Sequence, residues 1–446
     1  MDLSRATYIH YYYENMYTLD SDFEHMLKIS QVCKKFNVCS KRALAHIKTL
    51  HLSDENIPED IRNSNVKMTA NSFRPWFGST FPNDTQINVL DLTNCCALVR
   101  IDSIFFNLQQ LQYLKELYLI NCQNLKRIPA NLALCALLEV LDISRSSIEV
   151  IPANLIKNCY NLKHFIAEET ETLQYISPEI LGLTKLEGLS LSCMHVENMR
   201  FGDTFHYRNA DELGKLTNLK CLKLINVGLH SSHILQITKN LPNLTVLELS
   251  MRTDFFEEYD IENMTNLTSL AFECNYLQKL PSYFTKLTNI TDLSIRNWMT
   301  SATGIQQDFL CLPHLVSLVL HGCGDLIPPP VSFTDLVSLE LLAMSENRYI
   351  QQYVNLLPSL TNLVDLHIPY LAQNLHLSSN PNLLTLHILK KQRVSVDTTG
   401  CMNLQFLEII DDSDDDDSDD GEESDVDDYD YAEESDVAGV SDGNED

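Results

Sequence analysis

From Ile87 to Asp412 the chain repeats one short phrase of apolar and polar positions: apolar, two variable, apolar, one variable, apolar, with Cys or Asn often at the ninth place. Fourteen such phrases start at Ile87, Leu114, Leu138, Leu162, Leu186, Leu219, Leu244, Leu267, Ile290, Leu315, Leu339, Leu363, Leu383 and Leu404, and most intervals are 23 to 25 residues. Apolar residues separated by one variable position put alternate side chains on opposite faces, as a strand does. Each phrase therefore predicts a short strand that cannot bury its apolar side alone, so neighbours must stack into a solenoid. An earlier segment, Ile47-Lys-Thr-Leu50-His-Leu52, has the same spacing and reads as a first, irregular unit.

The connections between phrases are equally patterned. Ile128-Pro129, Ile151-Pro152 and Leu280-Pro281 end a strand region, because proline withholds an amide and disfavours helix in the residue before it. Beyond these prolines, Asn131–Ala136, Asn154–Lys157 and Tyr283–Lys286 are predicted to be short helices or 3-10 turns on the convex side. The interval from Leu186 to Leu219 is 33 residues, so a projecting loop is expected around Met199–Tyr207. Between Leu52 and Ile87 the phrase lapses, and Pro58, Pro75, Gly78 and Pro82 mark loops. Upstream, Phe23, Met26, Leu27, Ile29, Val32, Cys33 and Phe36 recur near helical spacing and predict a helical cap over the first strand.

Charge divides the chain sharply. The net charge is −29, yet residues 411–446 hold 20 acids and no Lys or Arg. Subtracting those 20 from 61 leaves 41 acids against 32 Lys and Arg in residues 1–410, a net of −9. The body is mildly acidic, with nothing basic enough to neutralise phosphates, so nucleic acid is not an expected partner. The tail has too little apolar content to fold and is expected to be disordered. The 13 cysteines contain no Cys-x-x-Cys pair, and Cys95, Cys122 and Cys323 fall at ninth places, where a small buried residue fits. Buried thiols in a reducing compartment are the expectation. The opening Met1-Asp-Leu-Ser-Arg lacks the apolar core of a signal peptide, and no apolar run approaches membrane-spanning length. The Asn-x-Thr sequons at Asn243, Asn263, Asn266 and Asn289 follow from the Asn-Leu-Thr habit of the repeats. A soluble protein of the cytoplasm, with the nucleus as an alternative, is expected.

The stretch from Leu114 to Ile151 (LKELYLINCQNLKRIPANLALCALLEVLDISRSSIEVI) resembles the leucine-rich repeat family, in the type shared by plant disease-resistance receptors and Ras-pathway scaffolds. The resemblance implies an α/β repeat solenoid, a horseshoe with a parallel concave sheet, over residues 47–410, between a cap at 1–46 and an acidic tail at 411–446. It implies binding of a protein partner rather than catalysis. The nucleotide-binding loop of resistance receptors is absent. Leu27–Phe36, followed by Ile47–Leu52, resembles the second half of an F-box, without the Leu-Pro that usually opens that motif. That implies the Skp adaptor and a cullin as partners, with Leu27, Ile29, Val32, Cys33 and Phe36 buried or facing the adaptor. The tail resembles that of acidic nuclear phosphoproteins, which bind histones; it implies attraction of basic proteins, or else mere solubilisation. Ser413 and Ser424 each precede an acid by three places and resemble acidophilic kinase acceptor sites.

In such a solenoid the third, fifth and seventh places of each phrase face the concave side. They hold Glu116, Tyr118 and Ile120; Val140, Asp142 and Ser144; His164, Ile166 and Glu168; then Lys223, Ile225, Glu248, Arg296, Val319 and His321. Strands about 5 Å apart lay out an arc on the order of 65 Å, suited to a protein and too large for a small molecule. His367 and His387 take the fifth places of consecutive phrases, so their rings should be neighbours. A metal or pH-sensing pair and a solvated ladder are the two readings, and no third ligand lies in register. No metalloprotease helix, nucleophile elbow, phosphate loop or dinucleotide fingerprint occurs, and no cofactor is expected.

Overall fold

The computed structural model describes residues 49–51, 86–96, 98, 112–128, 130–151, 153–192, 210–227, 229, 231–251, 264–274, 286–297, 312, 314–321, 336, 338–345, 350–371, 373–391 and 394–412. Strands in chain order are β1 (Thr49–His51), β2 (Val89–Asp91), β3 (Glu116–Tyr118), β4 (Val140–Asp142), β5 (Val150–Ile151), β6 (His164–Ala167) and β7 (Tyr175–Ile176). They continue as β8 (Gly188–Ser192), β9 (Cys221–Ile225), β10 (Val246–Met251), β11 (Ser269–Cys274), β12 (Asp292–Asn297) and β13 (Ser317–His321). The series ends with β14 (Leu341–Ser345), β15 (Asp365–Leu371), β16 (Leu375–His376), β17 (Thr385–Lys391), β18 (Val396–Asp397) and β19 (Phe406–Asp412).

Fifteen of these strands form one parallel sheet in chain order, beginning at β1 and ending at β19, while β5 with β7 and β16 with β18 make small separate pairs. The segment at Ile47–Leu52 thus supplies a true first strand, since Leu50 pairs in register with Leu90. Register is set by the fourth place of each phrase. Leu90, Leu117, Leu141, Phe165, Leu189 and Leu222 stack strand over strand and are all buried. A slip of one residue would turn this whole row to solvent, so burial fixes the register.

Two further rows stitch one turn to the next. Where an asparagine precedes the phrase, it donates its side-chain N–H to a carbonyl of the preceding turn: Asn161 to Ala136 at 2.8 Å, Asn218 to Thr184 at 2.8 Å and Asn289 to Thr265 at 2.7 Å. Asn243 and Asn266, two of the sequon residues, do the same toward Thr217 and Pro242. At the eighth place the backbone turns left-handed, with φ of 63° at Asn94, 57° at Asn121, 56° at Arg145, 53° at Glu169 and 56° at Asn226. Asparagine tolerates that conformation. Arg145 and Glu169 do not have that tolerance, but their side chains form a two-pronged ion pair at 2.8 and 3.0 Å.

The convex side carries little helix. A 3-10 turn spans Ala130–Leu134, and helices α1 (Ala153–Asn158), α2 (Ala210–Leu213), α3 (Ser231–Asn240) and α4 (Ile350–Val354) lie between strands. The first two agree with the expected convex segments; the third, at 283–286, lies outside the described residues except for Lys286. Cys95 and Cys122 are fully buried, and the Cys122 thiol donates to the Leu92 carbonyl at 3.2 Å. Strand β19 runs through Asp412, two residues past the boundary expected between solenoid and tail. The N-terminal cap, Leu27, Ile29, Val32, Cys33, Phe36, the loop at 199–207, Cys323, Ser413 and Ser424 lie outside the described residues.

Candidate protein-binding face

Alternation along each strand sends the fourth and sixth places into the core and leaves the third, fifth and seventh on the sheet's other face. On β9 the pattern is intermediate, buried, intermediate, buried, intermediate, with Cys221, Lys223 and Ile225 outward. Lys223 is the centre of an ionic group. Its Nζ lies 3.1 Å from Glu168 Oε1, across the intervening strand β8, and 3.9 Å from Glu248 Oε2 on β10. The reach is possible because the intervening fifth-place residue is the small Ser190, whose Oγ donates to the same Glu168 oxygen at 2.7 Å.

Exposure along the face is uneven. Tyr118 and Asp142, expected as contact residues, point to this face yet are only 7 % and 8 % exposed. In-register parallel strands flank a middle position on both sides, so a large ring or a short acid there is covered by its neighbours. The Tyr118 hydroxyl donates to Glu116 at 2.9 Å, and the Ser144 amide donates to Asp142 Oδ1 at 2.9 Å. Burial pushes the Asp142 carboxyl up to about 6, with smaller contributions in the same direction from Glu168 and Asp91. His164 lies over Gly188 so closely that a Cβ there would meet its Nδ1 at 2.7 Å. Burial holds the His164 pKa below the usual histidine value. Glu116, Ile120, Val140, Ser144, Ile166, Ile225, Val319 and His321 remain partly exposed, and Arg296 is exposed.

At the other end, the expected neighbours His367 and His387 stack with ring centroids 4.2 Å apart and planes 18° from parallel. Phe406 extends the row at 4.8 Å, and His387 shares a 2.7 Å hydrogen bond with Glu408. His367 sits 3.5 Å from Asp365. Among the described residues no group of three His, Cys, Asp or Glu side chains could hold a metal ion. Burial, then the charge of His387, lowers the pKa of His367. A histidine held neutral in the fold stabilises above its unfolded pKa, and the benefit fades as acid protonates the unfolded chain first. The melting temperature should therefore fall between about pH 7 and pH 5, and fall less in His367→Gln. An equal fall in both proteins, by circular dichroism, would exclude this pair as the source.

A second charged row escaped the sequence reading. The second places of five consecutive phrases read Lys115, Glu139, Lys163, Glu187 and Lys220, alternating in sign. Lys163 contacts Glu139 at 2.7 Å, Lys115 contacts Glu139 at 3.7 Å, and Lys220 contacts Glu187 at 2.7 Å. The hydrogen bond from Lys163 holds the Glu139 carboxyl below its ordinary range. Farther along, threonines take over this row: Thr245, Thr268 and Thr291 each donate to the carbonyl of the residue one strand back, at 3.0 to 3.1 Å. Such a rim satisfies its own charges and hydroxyls. Ser190, Glu273, Asp365, Phe406 and Glu408 also belong to that face and were missed, although their places in the phrase would have found them.

Among the described residues no helix is long and apolar enough to cross a membrane. A family model for a leucine-rich repeat region matches residues 79–325, more than half of the chain. No curated protein matches. Among solved structures, a leucine-rich repeat protein of Leptospira interrogans is similar at 17 % identity and a TM-score of 0.49, over 83 % of this chain and 98 % of that one. An internalin of Listeria monocytogenes is similar at 18 % identity and a TM-score of 0.42, over 68 % of this chain and 84 % of that one. The leucine-rich repeat ectodomain of an Arabidopsis thaliana membrane receptor kinase, solved with Casparian strip integrity factor 2, is similar at 16 % identity and a TM-score of 0.36, over 74 % of this chain and 45 % of that one.

Proposed function

Since the chain belongs to the leucine-rich repeat family, we propose that it is a binding scaffold whose concave face receives a protein partner. Folds of this family generally mediate protein–protein interaction, and a repeat surface is a platform for recognition rather than chemistry. One observation carries the reading. Fifteen in-register parallel strands present one continuous face, on which aliphatic, aromatic and charged residues alternate from strand to strand, as protein interfaces require. The half-buried Ile166 and Ile225 supply apolar area in the middle of that face, and the exposed Arg296 supplies a charge beyond them. Cys95, Cys96, Cys122, Cys135, Cys159, Cys221 and Cys401 are free thiols, which is compatible with a reducing compartment.

The reading is tested by capture of partners with the full chain. Ile166→Ser with Arg296→Glu should remove the principal captured protein at least about tenfold, the scale of losing a central interface contact. Lys239→Glu, on the convex helix α3, should leave capture unchanged. Both variants should show the circular dichroism melt of the parent. Equal recovery by the parent and the concave variant would overturn the assignment of this face.

A further inference from the structure

The last turn of the solenoid breaks a rule that every described turn before it keeps. The fourth and sixth places are buried throughout, down to Leu386 at 0 % and Ile388 at 2 % on β17. On β19 the same places, Leu407 and Ile409, are 49 % and 37 % exposed, and Phe406 and Ile410 beside them are 50 % and 52 % exposed. Strand β19 is the end of the sheet: it pairs with β17 on one side, and among the described residues no strand lies on the other. Its seven residues thus present both a row of apolar side chains and an open edge of backbone N–H and C=O groups, a ready template for another strand.

Three occupants could cover such an edge, and charge separates them. The sequence passes from this strand directly into residues 411–446, with 20 acids and no Lys or Arg. The stretch immediately after the strand, Ser413 to Asp420, contains no apolar residue to set against Leu407 and Ile409. A second copy would bring another net charge of −29 to the same place, and like charges of that size oppose association. A cationic segment gains from the same field. In backbone register, Lys390 and Lys391 of β17 lie opposite Asp411 and Asp412 of β19.

We infer that the open edge of β19 is a docking strand for an extended segment of a partner protein. In that segment, apolar residues cover Leu407 and Ile409, and a following run of Lys or Arg meets the acids that begin at Asp411. The site uses the free edge and the core-side places of β19, the end strand of the sheet, and does not include Ile166 or Arg296. Apolar contact and backbone pairing give the position, and the acid run gives salt-sensitive attraction.

The probe is a synthetic peptide of alternating Val and Thr followed by six Lys, titrated against the full chain by fluorescence anisotropy. Controls are six Lys alone and the Val/Thr segment followed by six Glu. The combined peptide should bind roughly tenfold or more tightly than either control, weaken steeply with added salt, and lose its advantage over six Lys in Leu407→Asp/Ile409→Asp. Hydrogen exchange on the unaltered chain reads the same contact without a variant, and amides of 406–412 should gain protection when the peptide is present. Equal binding of six Lys and the combined peptide, with no protection at 406–412, would overturn the proposal in favour of attraction by the tail alone. A dimer in sedimentation that the double substitution dissociates would overturn it in favour of a second copy. Absence of binding by the combined peptide would overturn it outright.

Discussion

Phe165→Ala is expected to lower the stability of the solenoid by about 3–5 kcal/mol, the range for emptying a large aromatic site in a packed core. Phe165 is fully buried and sits in register between Leu141 and Leu189, in a row where most other members are leucine. Truncation therefore leaves a cavity between three turns at once. Because each turn of a repeat protein contacts only its neighbours, the loss weakens two interfaces together and should open the array locally. Denaturant unfolding would show a lower midpoint, and hydrogen exchange would place the new opening between β4 and β8. Ile410→Ala is the matched control: its side chain is 52 % exposed, so a change within about 0.5 kcal/mol is expected. Similar effects from the two substitutions would mean that the buried row is not the source of cohesion.

Asp142→Asn is expected to stabilise the protein at neutral pH, on the order of 3 kcal/mol. The carboxyl is raised from 3.8 to about 6 by burial, then by the nearby acids Glu168 and Asp91. One unit corresponds to about 1.4 kcal/mol, so ionising Asp142 in the fold opposes folding by that order. A carboxyl raised in the fold favours stability below its unfolded pKa, and that advantage is lost as pH rises through about 6. Asparagine keeps an oxygen to accept the Ser144 amide and removes the charge. The gain should be full above about pH 7 and vanish near pH 4. A gain that persists unchanged at pH 4 would point to something other than the buried charge. A destabilisation at pH 7 would mean that the ionised form is held by a contact worth more than its desolvation.

Much of the face was legible because the phrase is strict. Places one, four and six fix which residues are core, and alternation then assigns Glu116, His164, Ile166, Ile225, Val319 and Arg296 to the other side without any structure. The stacking of His367 on His387 followed from their equal places in successive phrases. Exposure was not legible. Tyr118 and Asp142 occupy the same place as Ile166 and Lys223, yet they are covered, because what flanks a residue across the sheet lies about 24 positions away in sequence. The alternating Lys115, Glu139, Lys163, Glu187 and Lys220 were in plain view as letters, but they become a ladder only when strands align.

By itself the sequence determined the repeat, its register and the inward face, since an apolar pattern with a constant spacing admits one stacking that buries it. It also determined that the acids gather at one end of the chain. Only the tertiary structure decided that Lys223 reaches Glu168 over Ser190, that Asp142 is buried enough to hold its proton near pH 6, and that the core row emerges uncovered at Leu407 and Ile409. Each of these depends on side chains of neighbouring turns, whose sizes and charges set local burial and which a pattern within one turn does not contain.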